Sequence, residues 1–248
     1  MGFFSSIGNA FSTGFSALSS AFSAVTNTVS TIGTRVAEFA HNIKPLLGPI
    51  LTTIAAVIPH PIVKAVATFA NTLLHALSIF HPDENVQDMG DRALQASEQG
   101  ITIEKFENFD AYIAAIRNFD LNPEASKKYS SAEKLVAGLG IATAGIEDKF
   151  NAEPGSLHDL WLLPIANHEY FTPERIKSLL ENGKLIGDVS AYLEKRMSGE
   201  EASAFRKNLE ITPEGEPMND TELGQLYDAL DNARTEWAEL NKQLKGND

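Results

Sequence analysis

Cysteine is absent from the 248 residues, which excludes disulfides and thiolate metal sites and suits a chain that passes between redox environments. Charge is absent from the beginning of the chain, where no acidic or basic side chain precedes Arg35. Clusters of Lys and Arg are absent throughout, and without them affinity for nucleic-acid phosphate has no source. Period-two alternation is never sustained for the length of a strand, so the expected fold class is all-α. There is no phosphate-binding loop, dinucleotide glycine pattern, nucleophile elbow or calcium loop, and no repeat at the usual solenoid spacings. The expectation is a non-enzyme with no cofactor and no metal.

What charge there is lies mostly in one part of the chain. Of 20 basic and 33 acidic residues, only Arg35, Lys44, Lys64 and Glu38 precede Asp83, so residues 1–82 carry +2 and residues 83–248 carry −15. Two regions are therefore expected, an uncharged and apolar membrane-active or assembly region over 1–82 and an acidic soluble all-α domain over 83–248. An acidic body keeps such a chain soluble while its apolar segment waits for a target.

Phe4, Ile7, Phe11, Phe15, Leu18, Phe22, Val25, Val29, Ile32, Val36, Phe39 and Ile43 follow one another at steps of three and four. On a helix rising about 1.5 Å per residue they form one apolar seam roughly 60 Å long. The opposite face carries Ser5, Asn9, Ser12, Ser16, Ser19, Ser23, Thr26 and Ser30 where a solvated helix would carry charge. Hydroxyls let other helices or lipid headgroups approach without desolvating charge. A Phe-rich seam of this kind can lie in a membrane interface.

A second apolar stretch runs from Pro45 to Pro82 with Lys64 as its only charge. Its prolines divide it into two helices, about 46–58 and 62–80, joined at Pro59-His60-Pro61. Leu51, Ile54, Val57, Ile58, Pro59, Pro61, Ile62, Val66, Phe69, Leu73, Leu77 and Phe80 make this a candidate insertion hairpin. The alternative is a buried central hairpin of a soluble bundle, because neither arm has the length and hydropathy of a standing transmembrane span. His60, His75 and His81 are candidate pH-sensing residues, since neutral imidazole permits burial that the protonated ring opposes; the plainer reading places them at helix caps or a solvent edge.

Further along, the pattern predicts helices over 83–98, ending at Gly100, and over 103–119, with Phe106, Phe109, Ile113, Ile116 and Phe119 on one face. Asn122-Pro123 ends the second of these. Ser130 with Glu133 opens a helix holding Gly138, Gly140, Ala142, Ala144 and Gly145, a composition that points to close helix packing. A short helix stopped by Pro164 follows, then one opened by Thr172-Pro173-Glu174 and closed before Gly183, one over 185–197, and one from Ser198 to 209. Residues 211–219 are expected as a loop. Asp220 would cap a last helix striped by Leu223, Leu226, Tyr227, Leu230, Ala233, Trp237, Leu240 and Leu244.

The only dense polar constellation is His158-Asp159 with His168-Glu169. Its spacing lacks a second His four residues after the first, so flanking, locally satisfied histidines are preferred to a metal or acid–base site. Met1-Gly2-Phe3-Phe4-Ser5-Ser6 fits a short myristoylation pattern on Gly2. The first residues do not read as a secretory signal, having no basic region and no compact apolar block. The expectation is a chain made in a soluble cytoplasmic form and secreted, or delivered into a target cell membrane, by another route.

An uncharged amphipathic helix, an apolar hairpin and an acidic helical body are similar in layout to the general plan of pore-forming bacterial toxins, in which a buried hairpin leaves a soluble bundle for a membrane. That layout implies a membrane-permeabilising antibacterial toxin or effector. Its partners would be a lipid membrane, further copies of itself, and a delivery-machine component, chaperone or immunity protein. The alternative is a structural or ejected component of a phage virion or injection machine, assembled through the N-terminal helix.

Overall fold

Asparagine, serine and threonine side chains open most of the helices in the computed structural model, which describes residues 60–153, 156–185 and 187–245, with side chains placed between 64 and 238. The 3–43 seam, the 46–58 arm and the Gly2 pattern lie outside these residues. The described residues are helical, and their one β-bridge, Ile211 with Pro217, is isolated. The chain divides into two units, Met1–His158 and Asp159–Asp248.

The first unit holds α1 (His60–Ala76), α2 (Val86–Glu98), a 3-10 turn at Ile103–Lys105, α3 (Phe109–Arg117), α4 (Pro123–Ser126) and α5 (Ser131–Lys149). Asn85 opens α2 by accepting from the Gln87 and Asp88 N–H groups. Ser130 and Glu133 form the expected capping box on α5. The helix expected over 103–119 is broken instead: residues 106–108 leave the 3-10 turn, and Asn108 caps a new start at Phe109 by accepting from Ala111 N–H. Phe106 still reaches the core edge-on to Tyr112, with ring centroids 5.6 Å apart. Asn122-Pro123 both ends one segment and begins α4, Asn122 accepting from Glu124 and Ala125.

Helix α5 is the centre of this unit, buried without interruption from Leu135 to Glu147. It shares its largest interface with α2 and also packs against α1 and α3. The close packing read from its glycines is observed. A Cβ on Gly138 would fall on the Val86 carbonyl group, 2.7 Å from its carbon, and one on Gly90 of α2 would lie 2.6 Å from the Gly138 nitrogen. Two glycines thus bring the α2 and α5 backbones together. Beside the crossing, buried Asp91 accepts from Lys134 Nζ at 2.8 Å, from Gln95 Nε2 at 2.9 Å and from Ser126 Oγ, tying α2 to α4 and α5.

Five helices in the two units end on a left-handed residue with the paired backbone bonds of a Schellman cap. Gly100 and Gly183 are the expected glycines; Ser78, Asn151 and Lys195 hold the other three places. At the end of α1, Ile79 N–H donates to Leu74 O and Ser78 N–H to His75 O, both at 3.0 Å. The helix therefore stops at Ala76 and not near residue 80. Because Ser78 has φ 55°, Ser78→Gly should relieve a left-handed strain and raise stability by roughly 0.5–1 kcal/mol, net of glycine's greater unfolded freedom. Urea unfolding followed by far-UV ellipticity checks it.

The second unit holds α6 (Leu162–Ala166), preceded by a 3-10 turn at His158–Trp161, then α7 (Pro173–Glu181), α8 (Val189–Leu193), α9 (Gly199–Asn208) and α10 (Asp220–Lys245). Pro164 does not stop its helix. It lies in the first turn of α6, where a backbone N–H would have no helical acceptor. The helix expected over 185–197 shortens to α8, opened by Asp188. Helix α10 is capped by Asn219, which accepts from Thr221 and Glu222, and not by Asp220. Its stripe buries Leu226, Leu230, Ala233 and Trp237. Tyr227 departs from it, half exposed, with its hydroxyl donating to Glu210 Oε1 at 2.7 Å.

Candidate functional site

Helix α1 is the described part of the insertion hairpin, and its sequence decides which side faces inward. Val66, Ala67, Ala70, Leu73, Leu74 and Leu77 recur at helical spacing and are buried, with Ile79 and Phe80 of the following loop beside them. Val66, Leu73, Leu77 and Phe80 thus lie in the core, while Phe69 is only partly covered. Pro61 and Ile62 lie in the first turn. Leu51, Ile54, Val57, Ile58 and Pro59 fall outside the described residues.

Lys64, Thr68, Thr72 and Ala76 occupy the outward side. The two threonines do not depend on water for an acceptor, because Thr68 Oγ1 donates to Lys64 O at 2.9 Å and Thr72 Oγ1 to Thr68 O at 3.0 Å. Hydroxyls satisfied by their own helix can be moved into an apolar medium at low cost, whereas Lys64 at the start of the face would have to keep its ammonium at a polar boundary.

Two polar side chains of α1 reach the segment that leads into α2. Asn71 Oδ1 accepts from Val86 N–H at 2.7 Å, satisfying an orphan donor of the α2 first turn. His75 Nε2 lies 2.8 Å from Glu84 O; a carbonyl only accepts, so Nε2 carries the proton. His81 is 62% exposed, its ring 3.7 Å from the Glu84 carboxylate. His60 is the first residue of α1.

Glu84 is the hub of this segment. Arg117, the last residue of α3, forks onto it with Nε to Oε1 at 2.7 Å and one terminal nitrogen to Oε2 at 3.1 Å, and also donates to Ile79 O at 3.1 Å. His81 N–H adds a bond to Oε2 at 2.8 Å. Burial pushes the Glu84 carboxyl up, but the Arg117 fork, the His81 N–H and the neighbouring positive charge together hold it below its ordinary value. Neither Glu84 nor Arg117 is signalled by sequence, since they are 33 positions apart; Asn71, a lone amide on an apolar helix, is the one visible trace.

A cleft of about 410 Å³ lies between Ile103, Phe109, Ala144, Glu147, Asp148 and Glu153. It carries three carboxylates, and Glu147 already accepts from Leu157 N–H at 2.8 Å. In the second unit, buried Asp159 accepts from Ser190 N–H at 3.2 Å, and Glu169 is exposed. Burial pushes the half-buried His168 down to about 4, which keeps it neutral near pH 7. His158 lies in the 3-10 turn that begins at it. Among the described residues no group of three or more His, Asp or Glu side chains is arranged to hold a metal ion.

Among the described residues, no helix is long and apolar enough to cross a membrane. Compared with known proteins, the chain matches no family model, no curated protein and no solved structure.

Proposed function

We propose that this chain is a non-enzymatic membrane-permeabilising protein, a secreted antibacterial toxin or effector whose apolar N-terminal helices are shielded until delivery. The observation that carries this reading is the construction of α1. Its apolar side is covered by α2 and α5, and its outward threonines are satisfied by the helix itself. Apart from Lys64 near its start, an element made this way exchanges one apolar bed for another with few polar groups to dehydrate. At 17 residues it is about 26 Å long, short of a hydrocarbon core of about 30 Å. It would therefore act with the 46–58 arm and the 3–43 seam, lying in or joining a membrane assembly.

The test is dye release from vesicles of neutral and of anionic lipid, by the full chain and by the Phe11→Ser, Phe15→Ser, Phe22→Ser triple variant. Release by the unaltered chain, at least tenfold weaker for the variant on the loss of about 2 kcal/mol of apolar burial at each Phe, is the expected result. No release from either lipid, with ordered particles of fixed copy number in electron micrographs, would replace this reading with the virion or injection-machine component.

A further inference from the structure

The polar attachments of α1 converge on a small region. Asn71 ends on Val86, His75 on the Glu84 carbonyl, and the loop between them is gripped by Arg117 at both Ile79 O and the Glu84 carboxylate. Arg117 belongs to α3, so the grip ties the exit of α1 to a helix elsewhere in the unit. The Asp91–Lys134 network joining α2 to α4 and α5 uses none of these atoms, and the Gly90–Gly138 crossing meets them only at Val86, whose carbonyl faces Gly138 while its N–H is held by Asn71.

We infer that the Glu84–Arg117 pair is a clasp whose opening lets α1 leave its bed while α2 and α5 stay paired. Its purpose, release of an apolar helix toward a lipid surface, rests on the membrane reading above. The clasp suits the task because its two halves are held by charge and fork geometry, which a single neutralising change removes. Loss of the pair leaves the Arg117–Ile79 O bond to tie the 79–84 loop to α3, and the loop is where α1 would pivot. Apolar contact with α2 and α5, the Asn71–Val86 bond and the His75–Glu84 carbonyl bond are then what remain to keep α1 docked.

The experiment is native-state hydrogen exchange on the full chain and on Glu84→Gln, read separately for α1, α2 and α5. The expected result is a fall in protection of residues 66–77 of about tenfold or more, with α2 and α5 unchanged. A uniform fall in all three helices, or no change in α1, overturns the clasp, since either is what a merely stabilising ion pair would give. Arg117→Lys, which keeps the charge but loses the fork, applies the same comparison if the far-UV spectrum shows that Glu84→Gln does not fold. Dye release is measured in parallel to separate the two ideas. Selective loosening of α1 without release by any chain keeps the clasp and removes the membrane reading; release with α1 protection unchanged in the variants removes the clasp alone.

Discussion

Gly138→Ala should destabilise the first unit by about 3 kcal/mol, although alanine is the better helix former. Intrinsic propensity favours the substitution by about 1 kcal/mol. Opposing it, the new methyl would meet the Val86 carbonyl carbon at 2.7 Å and Val86 Cγ2 at the same distance. The obstacle is backbone on a neighbouring helix, so no rotamer change relieves it; α2 and α5 must separate along their largest interface. Overpacking that shifts backbone costs about 1–3 kcal/mol and sometimes more, and here it wins. Gly224→Ala is the control, because Gly224 is exposed in the interior of α10 with nothing within 4 Å of an added Cβ. It should stabilise by up to about 1 kcal/mol. Urea midpoints of the two variants moving in the same direction would reject this account of the crossing.

Asp91→Asn should cost about 3 kcal/mol at pH 7, because Lys134 would keep its charge beside α2 with an amide in place of its carboxylate. The expected pH dependence follows from the state of Asp91 in the folded chain. Burial raises its proton affinity, but the Lys134, Ser126 and Gln95 bonds and the lysine charge outweigh it, so the carboxyl titrates below its ordinary value. Its contribution is therefore complete above the unfolded value of about 4 and is lost as pH falls through the folded value. Stability curves of the unaltered chain and the variant should be well separated at pH 7 and converge below about pH 4. A separation constant down to pH 3 would mean that the side chain matters for shape and not for charge.

Several features of the fold could be read from sequence because they are short-range. Ser130 with Glu133 and Ser198 with Glu201 satisfy each other three residues apart, and Thr172-Pro173 opens α7, all as expected. Gly100 and Gly183 mark helix ends because glycine enters the left-handed region freely. Ser78 and Lys195 occupy the same conformation with no compositional mark, held there by the chain around them, and so α1 and α8 end earlier than their patterns indicate. The break before α3 turns on one asparagine, Asn108, inside a pattern that is otherwise continuous. At the candidate site the apolar face of α1 was legible from its period. Its attachments were not, because Asn71 to Val86 and Glu84 to Arg117 are pairings that only the folded chain brings together.

The burial of α5 along nearly its whole length also decides what the first unit can show to other molecules. From Leu135 to Glu147 this helix presents no exposed residue. Among the described residues, the outer surface of the unit is left chiefly to α1–α4 and the segments joining them. A molecule that approached the described part of the unit would meet those elements, α1 among them. If α1 is released as proposed, a binder seated over it would also hold it in place.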